Sequence, residues 1–415
     1  MRIRTGLVTA ALAATALVVT ALPAAASPPA PAGCDPGLAV PGAERQVVSC
    51  VDDLTTTGTV ASGHTVEADW AGLTSESLSR PEHPVPGVQV DGHFADDSST
   101  NTHHGWDTDS QFVLRLPEHW NGGMVVSGSP GNRAQYAGDR AIADDVLARG
   151  YAFAATDKGN TGTEFHVGAG APGDAVAEWN IRVTELTRAA SETARRHYGM
   201  PPSRTLMAGL SNGGYLVRWQ LENHPELYDG GVDWEGVLWR ADGPNLLTFL
   251  PPALEAYPGF LAGDEAAADR IREAGFEPGS EFLWPFHHEV YWQLTQQIYR
   301  EVFDPAYDGP DTSYDYAARP DEVRDAVRKV ELTGDIGKPL ITVHGTLDTL
   351  LPIRETSDVY AELVRDAGRG SLHTYHRVEG GTHTDGLVDQ YPDRLVPLAP
   401  EFRKAVDELE QQLAG

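Results

Sequence analysis

Apolar positions along the chain change their period at about residue 110. From 27 to 109 they form short runs, such as Val88 to Phe94, separated by Gly, Pro, Asp and Ser, which predicts a linker followed by a β-rich N-terminal elaboration. From 110 onward the runs alternate between strand and helix periods. Gln111 to Leu116, Met124 to Val126, Tyr151 to Thr156, Thr205 to Ala208 and Gly236 to Trp239 read as strands, interleaved with helices at Ala134 to Arg149, Val176 to His197 and Gly213 to Asn223. The rhythm is that of a mostly parallel sheet with helices on both faces. It stops across residues 245–332, where the chain is helical, aromatic and punctuated by Pro251, Pro252, Pro258 and Pro285; this reads as a helical cap inserted into the sheet. The strand pattern returns at Pro339 to His344 and His373 to Val378, with helices at Glu355 to Ala367 and Glu401 to Leu413. The predicted organisation is an α/β core in two parts, 110–244 and 333–415, interrupted by the cap.

The first residues are of another kind. Arg2 and Arg4 precede an uncharged Ala/Leu/Val stretch and Pro23-Ala24-Ala25-Ala26, the layout of a signal peptide over 1–26, so the mature protein is expected to be secreted. In an oxidising compartment the two cysteines of the chain, Cys34 and Cys50, are expected to pair; two free thiols are the alternative. Charge adds an exclusion. The 415-residue chain carries 31 Lys+Arg against 60 Asp+Glu, a formal net charge of −29, and −31 once Arg2 and Arg4 are removed. Such a field repels nucleic acid and anionic membrane, and favours a neutral over a polyanionic substrate.

The chemistry concentrates in three short segments. Gly209-Leu210-Ser211-Asn212-Gly213 lies between a predicted strand and a predicted helix, the context in which G-x-S-x-G makes a tight turn presenting a nucleophilic serine. A serine hydroxyl needs a base, and the base an orienting carboxylate. Asp348 and His383 follow the last two predicted strands, 137 and 35 residues apart along the order Ser211, Asp348, His383. Asp242 and Asp385 compete for the place of the acid. For the tetrahedral oxyanion the expected backbone donors are the N–H of Asn212 and that of Ser129, with Gly131 second, because Pro130 has none.

Thr156 to Gly162 falls on the same rim and reads either as a wall of the acyl pocket or as a turn held by Asp157 and Lys158. In the cap, Trp284, His288, Tyr291, Trp292, Thr295 and Tyr299 share a helical face, which is either the cap's own core or a substrate wall. No metal or other cofactor is expected. His103-His104 and His287-His288 are adjacent pairs with the wrong spacing for one helix face, and Asp96-Asp97 and Asp107 with Asp109 read as a solvated acidic loop.

Trp120-Asn121-Gly122-Gly123, Ser127 to Gly131, Ala154 to Gly159 and Ser211-Asn212-Gly213-Gly214 together resemble the extracellular 3-hydroxybutyrate-oligomer hydrolases and, more distantly, the tannase and feruloyl esterase enzymes. The resemblance covers residues 110–245 and 337–390. It implies an α/β-hydrolase fold, a serine esterase, and catalytic roles for Ser211, Asp348 and His383. One departure stands out: where the tannase and feruloyl esterase enzymes typically carry cysteines beside the catalytic Ser and His, this chain has Leu210 and Thr382, which weakens a gallate or ferulate assignment. The expected activity is hydrolysis of a carboxylic ester, a short hydroxyacid oligomer or an aromatic ester, through an acyl-enzyme. A secreted aminopeptidase or prolyl peptidase is the alternative, with Glu281 and Glu289 as candidates for holding an ammonium group. A catalytically silent binding protein of the same fold is the third reading.

Overall fold

A computed structural model describes residues 34–415; the expected signal peptide and the first seven residues after it lie outside the described residues. Nine strands of the described residues form one sheet: β1 (Ala43–Val51), β2 (Gly87–Phe94), β3 (Gln111–Pro117), β4 (Gly123–Gly128), β5 (Ala152–Thr156), β6 (Arg204–Leu210), β7 (Gly230–Trp234), β8 (Leu340–Gly345) and β9 (His373–Val378). Their spatial order is β1-β2-β3-β5-β4-β6-β7-β8-β9. Strands β5, β4, β6, β7, β8 and β9 run parallel to one another, whereas β1, β2 and β3 pair antiparallel in turn and β3 pairs antiparallel with β5. The β-rich N-terminal segment is therefore an extension of the main sheet. Cys34 and Cys50 are disulfide-bonded, with Cα atoms 5.9 Å apart, which ties the described N-terminus to the end of β1.

The helices are α1 (Thr56–Ala61), α2 (Asp144–Ala148), α3 (Asp174–Tyr198), α4 (Asn212–Asn223), α5 (Leu246–Leu261), α6 (Glu265–Glu273), α7 (Trp284–His287), α8 (Gln293–Phe303), α9 (Asp321–Arg328), α10 (Ser357–Asp366) and α11 (Ala399–Ala414). Side chains alternate across each strand, so the sheet feeds two cores. Leu114, Met124, Val126, Ala154 and Met207 face α3, α4 and the helices inserted between β7 and β8. Val113, Val125, Phe153, Leu206 and Ala208 face α2 and α11.

Two expectations need correction. The strand expected at Gly236 to Trp239 lies at Gly230–Trp234, and 236–239 is irregular chain. Val237, Leu238 and Trp239 are buried as a loop in the core, so their hydrophobicity misled; the true strand is glycine-rich because a Cβ on Gly231 would stand 2.6 Å from Val217 of α4. The helix expected from Ala134 begins only at Asp139, as a wide π-type turn running into α2.

Candidate active site

Ser211 occupies the one-residue turn between β6 and α4 with φ +60° and ψ −118°, a conformation a non-glycine residue adopts only where its surroundings enforce it. They do. The Ser211 N–H donates to Trp234 O at 2.9 Å, and its carbonyl accepts from Tyr215 N–H at 2.9 Å. The flanking glycines are demanded by space: a Cβ at 209 would stand 2.2 Å from Gly213 O, and one at 213 would stand 2.5 Å from Gly128 O.

The next three parallel strands each end in an ionisable residue, and the three converge. His383, beyond β9, has Nδ1 2.7 Å from Asp348 Oδ2, beyond β8. Asp348 Oδ1 accepts the N–H groups of Leu350 (2.7 Å) and Leu351 (2.9 Å), and His344 Nε2 stands 3.2 Å from Oδ2. Glu235, immediately after β7 with φ +53°, was not anticipated. Its Oε1 accepts from Gly345 N–H at 2.6 Å, and its Oε2 lies 3.1 Å from His383 Nδ1 without a hydrogen bond of its own. Displacing the strand to 236–239 hid it and made Asp242 look like the strand-end acid. With β7 placed correctly, Glu235 is the first residue past the strand. Asp242 lines a separate cavity, and Asp385 accepts from the N–H groups of Leu398 and Ala399 at the start of α11.

All three groups are buried, and their protonation is coupled. Burial alone would raise the pKa of Asp348, but His383 and His344 hold it well below the usual carboxylate range. Burial and the Asp348 charge push the Glu235 carboxyl well above its ordinary value, which favours its protonated form. Burial would lower His383, yet Asp348 and Glu235 push it up to about 10. The two carboxyls are thus pushed in opposite directions, Asp348 toward its charged form and Glu235 toward its neutral one.

Ser211 and His383 line one cavity of about 460 Å³, walled by Phe286, His287, Val290, Tyr291, Leu294, Thr295, Ile298 and Tyr299 of the inserted segment. The cap face thus divides its duties. Tyr291, Thr295 and Tyr299 reach the cavity, Trp284 and Trp292 are fully buried in the cap's interior, and His288 stacks on Tyr257 with ring centroids 3.7 Å apart. His287, paired with Thr349 Oγ1, is lowered by burial to about 4 and is neutral.

The segment expected to supply the second oxyanion donor behaves differently from its prediction. Ser129 N–H donates to Thr156 O at 3.0 Å, prolonging the β4–β5 ladder, and so is not aimed at the cavity. Gly131, at φ +53°, lines the cavity, and among the described residues its N–H has no hydrogen-bond partner. Lys158 supports this loop from below: wholly buried, its Nζ donates to Ser129 O (2.7 Å), Ser129 Oγ (2.6 Å) and Gly131 O (3.1 Å), over the ring of Trp179. Burial brings its pKa down to about 7. Asn212, first residue of α4, donates from Nδ2 to Gly131 O (3.0 Å) and to Tyr299 Oη (2.9 Å), joining elbow, loop and cap. Thr156 to Gly162 accordingly holds the loop in place, while Thr163 and Phe165 reach the cavity.

His64, Asp91 and His104 offer ligand atoms all within 4.8 Å of one another and could hold a divalent cation, although Asp91 already accepts from Tyr136 and Gln89.

A strained serine turn at the end of a central strand, with a carboxylate and a histidine past later strand ends of a mostly parallel sheet, is the layout of the α/β-hydrolase fold. Two solved structures share the fold. They are feruloyl esterase B from Aspergillus oryzae (TM-score 0.54, 14% identity, 75% of this chain and 78% of the other) and an esterase from the same organism (TM-score 0.56, 12% identity, 83% and 80%). In sequence, residues 96–233 match the tannase and feruloyl esterase family and residues 301–414 the 3HB-oligomer hydrolase family. Among curated relatives, the D-(-)-3-hydroxybutyrate oligomer hydrolase of Cupriavidus necator is 40% identical over 83 residues, 19% of this chain and 12% of that protein. That of Paracidovorax citrulli is 33% identical over 112 residues, 25% and 16% of the respective lengths. The matched stretches thus span less than a fifth of these relatives.

Proposed function

We propose that this protein is a secreted serine hydrolase that cleaves carboxylic esters, short hydroxyacid oligomers foremost, through an acyl-enzyme. The observation that carries the reading is the convergence of Glu235, Asp348 and His383 from three successive strand ends beside the cavity that holds Ser211. His383 takes the Ser211 proton as the hydroxyl attacks the ester carbonyl, then gives it to the leaving alcohol; a water repeats the sequence on the acyl-enzyme. Asp348 holds the proton on Nδ1 and stabilises the imidazolium. The N–H groups of Asn212 and Gly131 receive the oxyanion, each such donor being worth about 3–4 kcal/mol. The 3HB-oligomer hydrolase match over the segment bearing Asp348 and His383 supports a hydroxyacid ester, and the signal-like start and the disulfide support export.

The cavity disfavours the peptidase alternative. Among its described lining residues there is no Asp or Glu to hold a substrate ammonium group, and Glu281 is engaged by Arg272 at 2.9 Å. Hydrolysis of p-nitrophenyl butyrate should exceed that of any aminoacyl or prolyl anilide by at least two decades in kcat/KM, and Ser211→Ala should lose at least three decades in kcat with an unchanged fold. Equal anilide cleavage would overturn the esterase reading, and an unimpaired Ser211→Ala the serine mechanism.

A further inference from the structure

In a chain with about twice as many acids as bases, a guanidinium without a carboxylate partner is out of place, and one lines the candidate active site. Arg133 follows the oxyanion loop by two residues and forms part of the wall of the cavity that holds Ser211, Asn212 and His383. Other arginines that reach inward are paired: Arg115 with Asp139 at 2.6 Å, Arg218 with Asp233 at 2.6 Å, and Arg319 with Asp304 at 2.6 Å. Arg133 makes one hydrogen bond, from Nη1 to Ala71 O at 2.9 Å, and among the described residues no Asp or Glu forms an ion pair with it. Burial lowers its pKa, and a guanidinium stays charged at any working pH. Its backbone is anchored on both sides, N–H to Pro130 O at 3.3 Å and C=O from Ser129 Oγ at 2.7 Å, so the side chain leaves from a loop that Lys158 holds rigid.

A half-buried cation costs free energy unless something compensates it, and here the protein leaves that to the cavity's occupant. Apart from His383, which Asp348 already partners, the rest of the wall is uncharged, with Leu73, Phe286, Val290, Leu294, Ile298 and Leu387 its apolar part. An apolar pocket with one unpaired guanidinium suits a ligand that is apolar along its length and carries a single carboxylate, which the planar fork can grip in bidentate fashion.

We infer that Arg133 is a substrate-binding residue that holds the free carboxylate of a carboxyl-terminated ester, so that the enzyme acts from the acid end of hydroxyacid oligomers. This rests on the esterase reading and adds a specificity to it. In an ester of two 3-hydroxy acids the leaving alcohol bears the carboxylate, three bonds from the ester oxygen. Arg133 would therefore bind the leaving-group side, while the acyl part takes the apolar wall of the cap. The strongly negative surface does not oppose this. Its field is screened over about 8 Å at physiological ionic strength, whereas the contact with Arg133 is direct and partly desolvated.

The test compares the linear dimer of 3-hydroxybutyrate with its methyl ester, which lacks the carboxylate charge; because the methyl ester is a second scissile bond, chromatography scores only cleavage of the ester between the two hydroxyacid units. In the wild-type chain, kcat/KM for the acid should exceed that for its methyl ester by tenfold or more. In Arg133→Met and Arg133→Gln the ratio should fall close to one, chiefly through a raised KM for the acid, and Arg133→Lys should retain part of the preference. Thermal melts by circular dichroism establish that each variant is folded. Free butyrate supplies a second readout: its competitive inhibition should weaken at least fivefold in Arg133→Met. A wild-type enzyme that hydrolyses both dimers without preference, or a preference that survives Arg133→Met, overturns the assignment while leaving the esterase reading intact. Failure to cleave either dimer or p-nitrophenyl butyrate would remove the esterase reading itself.

Discussion

Two carboxyl groups face the same nitrogen of His383, and replacing each by its amide separates their roles. Asp348 Oδ1 is held by two backbone N–H groups, Leu350 and Leu351. In Asp348→Asn the amide oxygen must take that place, so the NH₂ points at His383 Nδ1, 2.7 Å away in the wild type. It then donates to Nδ1 and drives the proton to Nε2, where it blocks acceptance of the Ser211 proton. The charge that stabilises the imidazolium is lost as well. At 2.7 Å and an effective dielectric constant near 20 that attraction is about 6 kcal/mol, an upper bound on what the transition state forfeits. We expect kcat for p-nitrophenyl butyrate to fall by about 10³–10⁴, or 4–5.5 kcal/mol at 1.36 kcal/mol per decade.

Glu235→Gln is the opposite case. Its Oε1 accepts from Gly345 N–H, so the amide oxygen keeps that position and the NH₂ takes the place of Oε2, on a carboxyl that burial and Asp348 push toward its protonated form. Since the surroundings already disfavour a charge on this carboxyl, the neutral amide costs little, and the expected loss is below tenfold, about 1.4 kcal/mol. Initial rates on both variants, with melts to verify folding, decide the matter. If Glu235→Gln lost three decades and Asp348→Asn less than one, the negative charge would reside on Glu235 and the assignment of the acid would be wrong.

Three further outcomes are expected. Because the base must be neutral and Asp348 stabilises its protonated form, kcat/KM should fall as pH drops, with a midpoint above the ordinary histidine value of 6.5; a pH–rate profile with its midpoint at or below 6.5 would contradict the pairing. Lys158→Met removes the donor to Ser129 O and should destabilise the fold by about 2–4 kcal/mol in urea titrations while lowering kcat more than it alters KM; an unchanged kcat would sever Lys158 from the oxyanion loop. Gly213→Ala places a methyl 2.5 Å from Gly128 O, so backbone must move; a loss of about 1–3 kcal/mol together with a fall in kcat is expected, and wild-type values in both would show that the elbow tolerates the extra carbon.

Local rules were enough to place Ser211 in a tight strand-to-helix turn and Asp348 and His383 past successive strand ends. The elbow announces itself by glycines that no side chain can replace, and a polar residue just past an apolar strand is recognisable from one segment at a time. The same local rules failed where burial was supplied by distant parts of the chain. Gly230–Trp234 reads poorly as a strand because its glycines serve close approaches, Gly230 to α11 and Gly231 to α4, while Val237 to Trp239 reads well because a loop is buried under the inserted helices. That single displacement concealed Glu235. The donor role of Ser129 turned on a hydrogen bond to Thr156, a partner fixed by the parallel register of β4 and β5. Lys158 and Arg133 look alike in sequence, each a basic residue in a loop after a strand. Only the tertiary structure separates them, because it surrounds Lys158 with three oxygens and leaves Arg133 facing an acid-free cavity. Residue type and spacing carry the chemistry that a backbone turn can impose; which charge is satisfied and which is left for a ligand depends on contacts between segments far apart in the chain.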